Sequence, residues 1–176
     1  MTRNALMLLL IITVISGCAT IPNEVLLKRQ QAIAHSDTLI VPGERVGPIK
    51  LGMNLWEVQN LLGPSDFVEK VTYPDPKHNY TIRRYWNLGL EISFSDDSVP
   101  VVIMLRVVDW KDGDTTVTFQ TSEGIKTGSS TLEAKRSFPS CEDRGGSNVV
   151  SCNSLGMNYA HENYKLFAIG IYKPRF

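Results

Sequence analysis

Gly47–Pro64, GPIKLGMNLWEVQNLLGP, reads as a tight loop feeding a short capped helix. Asn54 is an N-cap residue with Glu57 three positions later, the spacing at which side chains and backbone satisfy two orphan helix donors reciprocally. Leu55, Val58, Leu61 and Leu62 lay an apolar stripe on one face; Gly63 suits the left-handed C′ position, and Pro64 prevents continuation. A worn copy follows at Gly124–Pro139, GIKTGSSTLEAKRSFP. A slide of 76 positions puts Ile125, Lys126, Gly128 and Glu133 on Ile49, Lys50, Gly52 and Glu57, with Ser130 on Asn54. Leu132, Ala134 and Phe138 give its thinner stripe. Self-similarity at a fixed offset, with strands after each copy, predicts two units of one design.

The strand signal is best at Trp86, Leu88, Leu90, Ile92 and Phe94, which alternate with Tyr85, Asn87, Gly89, Glu91 and Ser93. Period two with one apolar face predicts an antiparallel strand, dry on one side and wet on the other. Asp96-Asp97-Ser98 supplies a turn and Val101–Val108 the return strand. Further strands are expected at Thr38–Pro42, Phe67–Tyr73 and Thr115–Phe119, then at Ser147–Cys152, Leu155–His161 and Lys165–Lys173. Leu155-Gly156-Met157 echoes Leu88-Gly89-Leu90. The expected fold is α+β: two tandem repeats of a short helix followed by antiparallel strands, forming one curved sheet with both helices on one face. Trp56 and Trp86 are expected in its core.

A chain of 176 residues, 43% hydrophobic and 20% charged, is globular in composition. Its 18 basic and 18 acidic residues leave no basic excess, which argues against a nucleic-acid partner. Residues 1–18, MTRNALMLLLIITVISGC, read as an export signal: Arg3 in the positive region, then an apolar run from Ala5 to Ile15 too short to span a bilayer. Its end, Ile15-Ser16-Gly17-Cys18, resembles the lipobox of bacterial lipoproteins, which implies a lipid on Cys18. The competing reading is an ordinary secretory peptide with a chance cysteine. Acyl chains would anchor the protein through about 0.8 kcal/mol per buried methylene. Ala19 in place of Asp implies, by the sorting rule of those lipoproteins, the outer membrane of a Gram-negative cell. Loss of Arg3 leaves 17 basic against 18 acidic residues, a net charge of −1.

With Cys18 lipidated, Cys141 and Cys152 remain as a pair in an oxidising compartment and read as a disulfide. A metal site is the weaker reading, because no histidine or further cysteine lies near them. The expected organisation is a signal peptide at 1–17, an anchor and tether at 18–40, a first helix–sheet repeat at 41–114 and a second at 115–176. Asn23–His35 reads as a short helix or a tether.

The glycine turn, the capped helix ending in Gly-Pro and a strand of the form Y-x-x-x-G-L-x-I-x-F make a set. Ile49, Gly52, Asn54, Glu57, Val58, Gly63 and Pro64, then Tyr85, Gly89, Leu90, Ile92 and Phe94, resemble the repeat shared by β-lactamase-inhibitor-protein-like domains and the SmpA/OmlA outer-membrane lipoproteins. The likeness spans about Gly47 to Tyr172. Tandem copies are more like the inhibitor proteins, and a lipidated amino terminus is more like the SmpA/OmlA members. The resemblance implies a protein-binding module and no catalysis; fold analogy alone names no partner.

Catalytic chemistry has little footing in the sequence. His35, His78 and His161 are scattered with no metal-ligand spacing, and Asp109, Asp112 and Asp114 around Gly113 lack the later ligands of a calcium loop. Asp96 and Asp97 are adjacent and point to opposite sides of a strand end. No cofactor and no metal are expected, and no enzyme activity. The wet sheet face is the candidate protein-binding surface, carrying Tyr85, Glu91, Met104, Arg106, Asn158 and Tyr172, with Tyr and Arg the types enriched at interface hot spots. The expected function is a lipid-anchored envelope protein, in the periplasm at the outer membrane, that binds another envelope protein as assembly factor or inhibitor. The alternative is a periplasmic binder of a small apolar ligand or lipid held between helices and sheet.

Overall fold

The computed structural model describes residues 24–25, 27–28, 32, 36–110, 115, 117–143 and 148–174. Cys18 and the export signal, His35, Asp112, Asp114 and most of the expected tether lie outside those residues. Helix α1 runs Leu55–Leu62. Its capping box is complete: the Glu57 amide donates to Asn54 Oδ1 at 3.0 Å and the Asn54 amide to Glu57 Oε2 at 2.7 Å. Gly63 ends it with φ 79° and ψ −166°, a positive φ that suits glycine but not the left-handed helical region expected. Helix α2 runs Thr131–Ser137 and starts the same way, the Glu133 amide donating to Ser130 Oγ at 3.2 Å and the Ser130 amide to Glu133 at 2.8 Å.

The strands are β1 (Leu39–Val41), β2 (Arg45–Val46), β3 (Ile49–Lys50), β4 (Phe67–Val71), β5 (Tyr80–Tyr85), β6 (Leu90–Ser95) and β7 (Val102–Val108). They continue as β8 (Gln120–Thr121), β9 (Glu142–Asp143), β10 (Val149–Cys152), β11 (Met157–Glu162) and β12 (Lys165–Tyr172). An eight-stranded antiparallel sheet has the order β4-β5-β6-β7-β12-β11-β10-β9. A separate four-stranded sheet has the order β3-β2-β1-β8, and its β1–β8 pair is parallel.

This overturns the expected fold class. The described residues are mostly β, in sheets of four and eight strands with the short helices α1 and α2 beside them, and do not form an α+β tandem of helix-plus-strand repeats. The reason lies in the loop before α1. Ile49 and Lys50 do not simply introduce a helix; they pair with β2, and through β1 with β8, in a second sheet that spans the expected boundary at 114/115. Leu39 and Ile40 lie in the strand expected at Thr38–Pro42 and pair in that sheet, with Ile40 in the core, although the expected tether ran to residue 40.

One face of the large sheet carries the core. Tyr85, Leu90, Ile92, Phe94, Leu105, Ile169 and Ile171 pack with Val58 and Leu62 of α1, Ala134 of α2 and Phe138 just beyond it, and Ile40, Val46 and Ile49 of the small sheet. Each large apolar side chain so buried stabilises the fold by about 1.5–3 kcal/mol. The Cys141–Cys152 disulfide ties the segment after α2 to β10. Neither tryptophan behaves as expected: Trp56 is 71% exposed on α1 and Trp86 is 37% exposed.

Candidate functional site

Register decides what the other face of the large sheet shows, because directly opposed residues share a face. Phe67 on β4 stands opposite Arg84 on β5, which stands opposite Glu91 on β6 and then Arg106 on β7. The row continues through Gly170, Asn158 and Ser151. A second row holds Glu69, Ile82, Ser93, Met104 and Tyr172. Five of the six residues expected on this face are there: Glu91, Met104, Arg106, Asn158 and Tyr172.

Tyr85 is not. It opposes Leu90, is fully buried with the core, and its hydroxyl donates to the Gly63 carbonyl at 3.4 Å. The expected strand from Tyr85 to Phe94 is broken by a 3₁₀ turn at Trp86–Leu88 and by Gly89 in the left-handed region (φ 62°, ψ 29°). The break resets the alternation, so Tyr85 and Leu90 point the same way.

At the centre of the face Glu91 is only 4% exposed, and its carboxylate is held from two sides. Arg84 Nε donates to Oε2 at 3.0 Å and Arg106 Nη1 to Oε1 at 3.1 Å. Arg84 also reaches Glu69 at 2.7 Å. A buried carboxylate needs such partners, since desolvation alone disfavours its charge. The network spans β4 to β7 and fixes the two guanidinium groups in place.

Aromatic rings border the network. Arg84 Cζ lies 5.0 Å from the Phe67 ring centroid and 5.9 Å from that of Trp86. Trp86 meets Trp110 edge-on at 4.6 Å, and Phe67 lies 6.4 Å from Trp86. The Trp86 amide is held by Asp66 at 2.8 Å. Farther along β5, Tyr80 lies 6.1 Å from Tyr73, and burial, then its Tyr73 neighbour, push its phenol up from the ordinary value. The arrangement can hold a partner's apolar side chains and carboxylate or carbonyl groups; it offers no placed nucleophile and base.

Phe67, Tyr80, Arg84, Trp86 and Trp110 escaped the sequence reading. YTIRRY has no clean alternation, because Ile82 points to the open face and Arg83 to the other, where it donates to Ser65 at 3.3 Å. The signal available was Arg84 seven residues before Glu91, the separation of an antiparallel pair closed by a short turn.

The other candidates stay apart. Asp96 pairs with Lys70 at 3.0 Å, and exposed His78 lies 3.5 Å from Asp75. Among the described residues no group of three or more His, Cys, Asp or Glu side chains is placed to hold a metal ion, and no helix is long and apolar enough to cross a membrane.

No protein-family model matches the chain, and no curated protein matches it. Among solved structures, a DUF4309 family protein (YjgB) from Bacillus subtilis aligns with a TM-score of 0.43 and 9% identity, over 84% of this chain and 95% of that one. At that score the likeness carries neither fold nor function across. The resemblance to the inhibitor-protein and SmpA/OmlA repeats therefore rests on the residues quoted for it.

Proposed function

We propose that this chain is a lipid-anchored bacterial envelope protein that binds another envelope protein through the open face of its large sheet, and that it is not an enzyme. The observation that supports this reading is the Arg84–Glu91–Arg106 network bordered by Phe67, Trp86 and Trp110, with Phe67 and Trp86 exposed. Ordered arginines beside exposed aromatics are the residue types that dominate interface energetics. Because the network is already paired, binding there freezes few side chains, which lowers the entropy cost of association. The lipobox-like Ile15-Ser16-Gly17-Cys18 supports the anchor and the envelope location.

The alternative, an apolar ligand between helices and sheet, needs room in a layer occupied by Val58, Leu62, Ala134 and Phe138, all buried.

The test is affinity capture from crosslinked envelopes with the native chain, Trp86→Ala and Arg106→Gln. Both positions lie outside the core, so both variants should keep the native circular dichroism, with Arg106→Gln melting lower because buried Glu91 is left with Arg84 alone. A stoichiometric partner retained by the native chain should be lost or weakened about tenfold or more by each variant. Undiminished capture by both sinks the surface assignment. Mass spectrometry of the mature amino terminus, with Cys18→Ala as control, checks the lipid.

A further inference from the structure

Beside the arginine network the open face is hollowed. Gly170 on β12 stands between Arg106 and Asn158 with no side chain, and the Asn158 carboxamide lies across it, where a Cβ at Gly170 would collide with Asn158 Oδ1. On β7, pairing of Met104 with Ser93 and of Val102 with Phe94 leaves Ile103 as an extra residue, a bulge that turns its side chain to the rim. The result is a cleft of about 400 Å³ with Ser93, Met104 and Asn158 among its walls, flanked by Tyr80 and Tyr172. That volume falls in the range of small-molecule sites.

Ser93 supplies the second observation. It is 1% exposed, its side chain is on the open-face side of β6 and lines the cleft, and its hydroxyl has no hydrogen-bond partner. A buried hydroxyl left unpaired carries a desolvation penalty, and such groups in native proteins call for an explanation. A ligand hydroxyl or carbonyl in the cleft would complete it.

The remaining walls say what kind of ligand. Hydroxyls come from Ser151, Tyr80 and Tyr172 and carboxamides from Asn153 and Asn158, groups that both donate and accept. The Tyr172 hydroxyl lies 3.0 Å from both Asn153 Oδ1 and the Met157 carbonyl, which holds its ring at the edge of the cleft. Among the described residues no lysine, arginine, aspartate or glutamate lines the cleft, so they offer no ion pair to an ionic ligand. Met104, Ile103 and two tyrosine rings add apolar surface. Neutral two-way hydrogen bonding beside apolar and aromatic surface matches a pyranose, whose edge is hydroxylated and whose C–H face is apolar.

We propose that this cleft binds a neutral saccharide of one or two rings. The site is separate from the aromatic patch at Trp86 and does not depend on the partner reading. The experiment titrates the full-length protein with maltose, cellobiose and N,N′-diacetylchitobiose, with a neutral Gly-Ser tetrapeptide as comparison. It follows the side-chain amide resonances of Asn153 and Asn158. At least one saccharide should shift both signals saturably. Ser93→Ala should melt no lower than the native chain and bind at least tenfold more weakly, Asn158→Ala should also bind more weakly, and Trp86→Ala should bind as the native chain does. The assignment is overturned if no saccharide moves these signals up to about 10 mM. A response to the tetrapeptide alone, or full saccharide affinity in the folded Ser93→Ala and Asn158→Ala chains, overturns it equally.

Discussion

Tyr85 carries its hydroxyl into the core, and burial pushes its phenol up to about 12, with Arg83 opposing and Asp66 adding to the shift. The folded chain therefore holds that proton more tightly than the unfolded chain, where the group titrates near 10.0. The stabilisation is complete below about pH 10 and is lost as the pH rises towards 12, in full about 2–3 kcal/mol. Denaturant midpoints at pH 9, 10 and 11 should fall more steeply for the native chain than for Tyr85→Phe. Parallel slopes would show that this phenol is not what alkali titrates. The same residue marks where the sequence stops being legible. Glu91 and Arg106 are found by counting in twos along their strands, a count that holds along β6 and on β7 from Val107 down to Met104, where the Ile103 bulge ends it. Tyr85 lies across a 3₁₀ turn from Glu91, and nothing in the alternation of apolar residues announces the turn.

Short elements with strong local chemistry are the readable ones. Both capping boxes are complete, since Asn54 with Glu57 and Ser130 with Glu133 need only a spacing of three to work. At α2 the Ser130 backbone amide, then its hydroxyl, lower the Glu133 carboxyl below its ordinary value. Each helix entry is also clamped by a hairpin: the Leu55 amide donates to the Pro100 carbonyl, and the Thr131 amide to the Tyr164 carbonyl. Asn54→Ala and Ser130→Ala should each cost about 1 kcal/mol, and the double variant about the sum, measured by urea unfolding. A cost well below that would mean the hairpin clamps hold the helix ends without the caps. Less readable were the two-residue strands. Arg45–Val46 and Glu142–Asp143 are too short for any period, and each exists because a neighbouring strand offers it a ladder.

At the scale of the molecule, the β class follows from pairings between distant parts of the chain. β1 beside β8 and β7 beside β12 join segments with no shared local signature, so one sequence without aligned relatives does not reveal them. Two conspicuous helix motifs drew the reading towards helix-plus-strand units, although α1 and α2 are only 8 and 7 residues long. The Cys141–Cys152 link was legible because cysteine arithmetic does not depend on fold. With a sequence separation of 11, it should contribute about 3 kcal/mol on the chain-entropy model. Reduction, or Cys141→Ala with Cys152→Ala, should lower the unfolding free energy by that amount. A change under about 1 kcal/mol would mean that β9 and β10 are already held by their own ladder and the core.

The ends of the described fold enter and leave through interior strands. β1 lies between β2 and β8, and β12 lies between β7 and β11. Fraying from either end cannot proceed strand by strand, because each terminal strand must break two ladders at once. Under the lipid anchor proposed above, this becomes a mechanical property: tension on the amino end would enter at the middle of a sheet, where backbone hydrogen bonds share the load on both sides. A pull on such a fold should give one abrupt rupture and not a gradual peel.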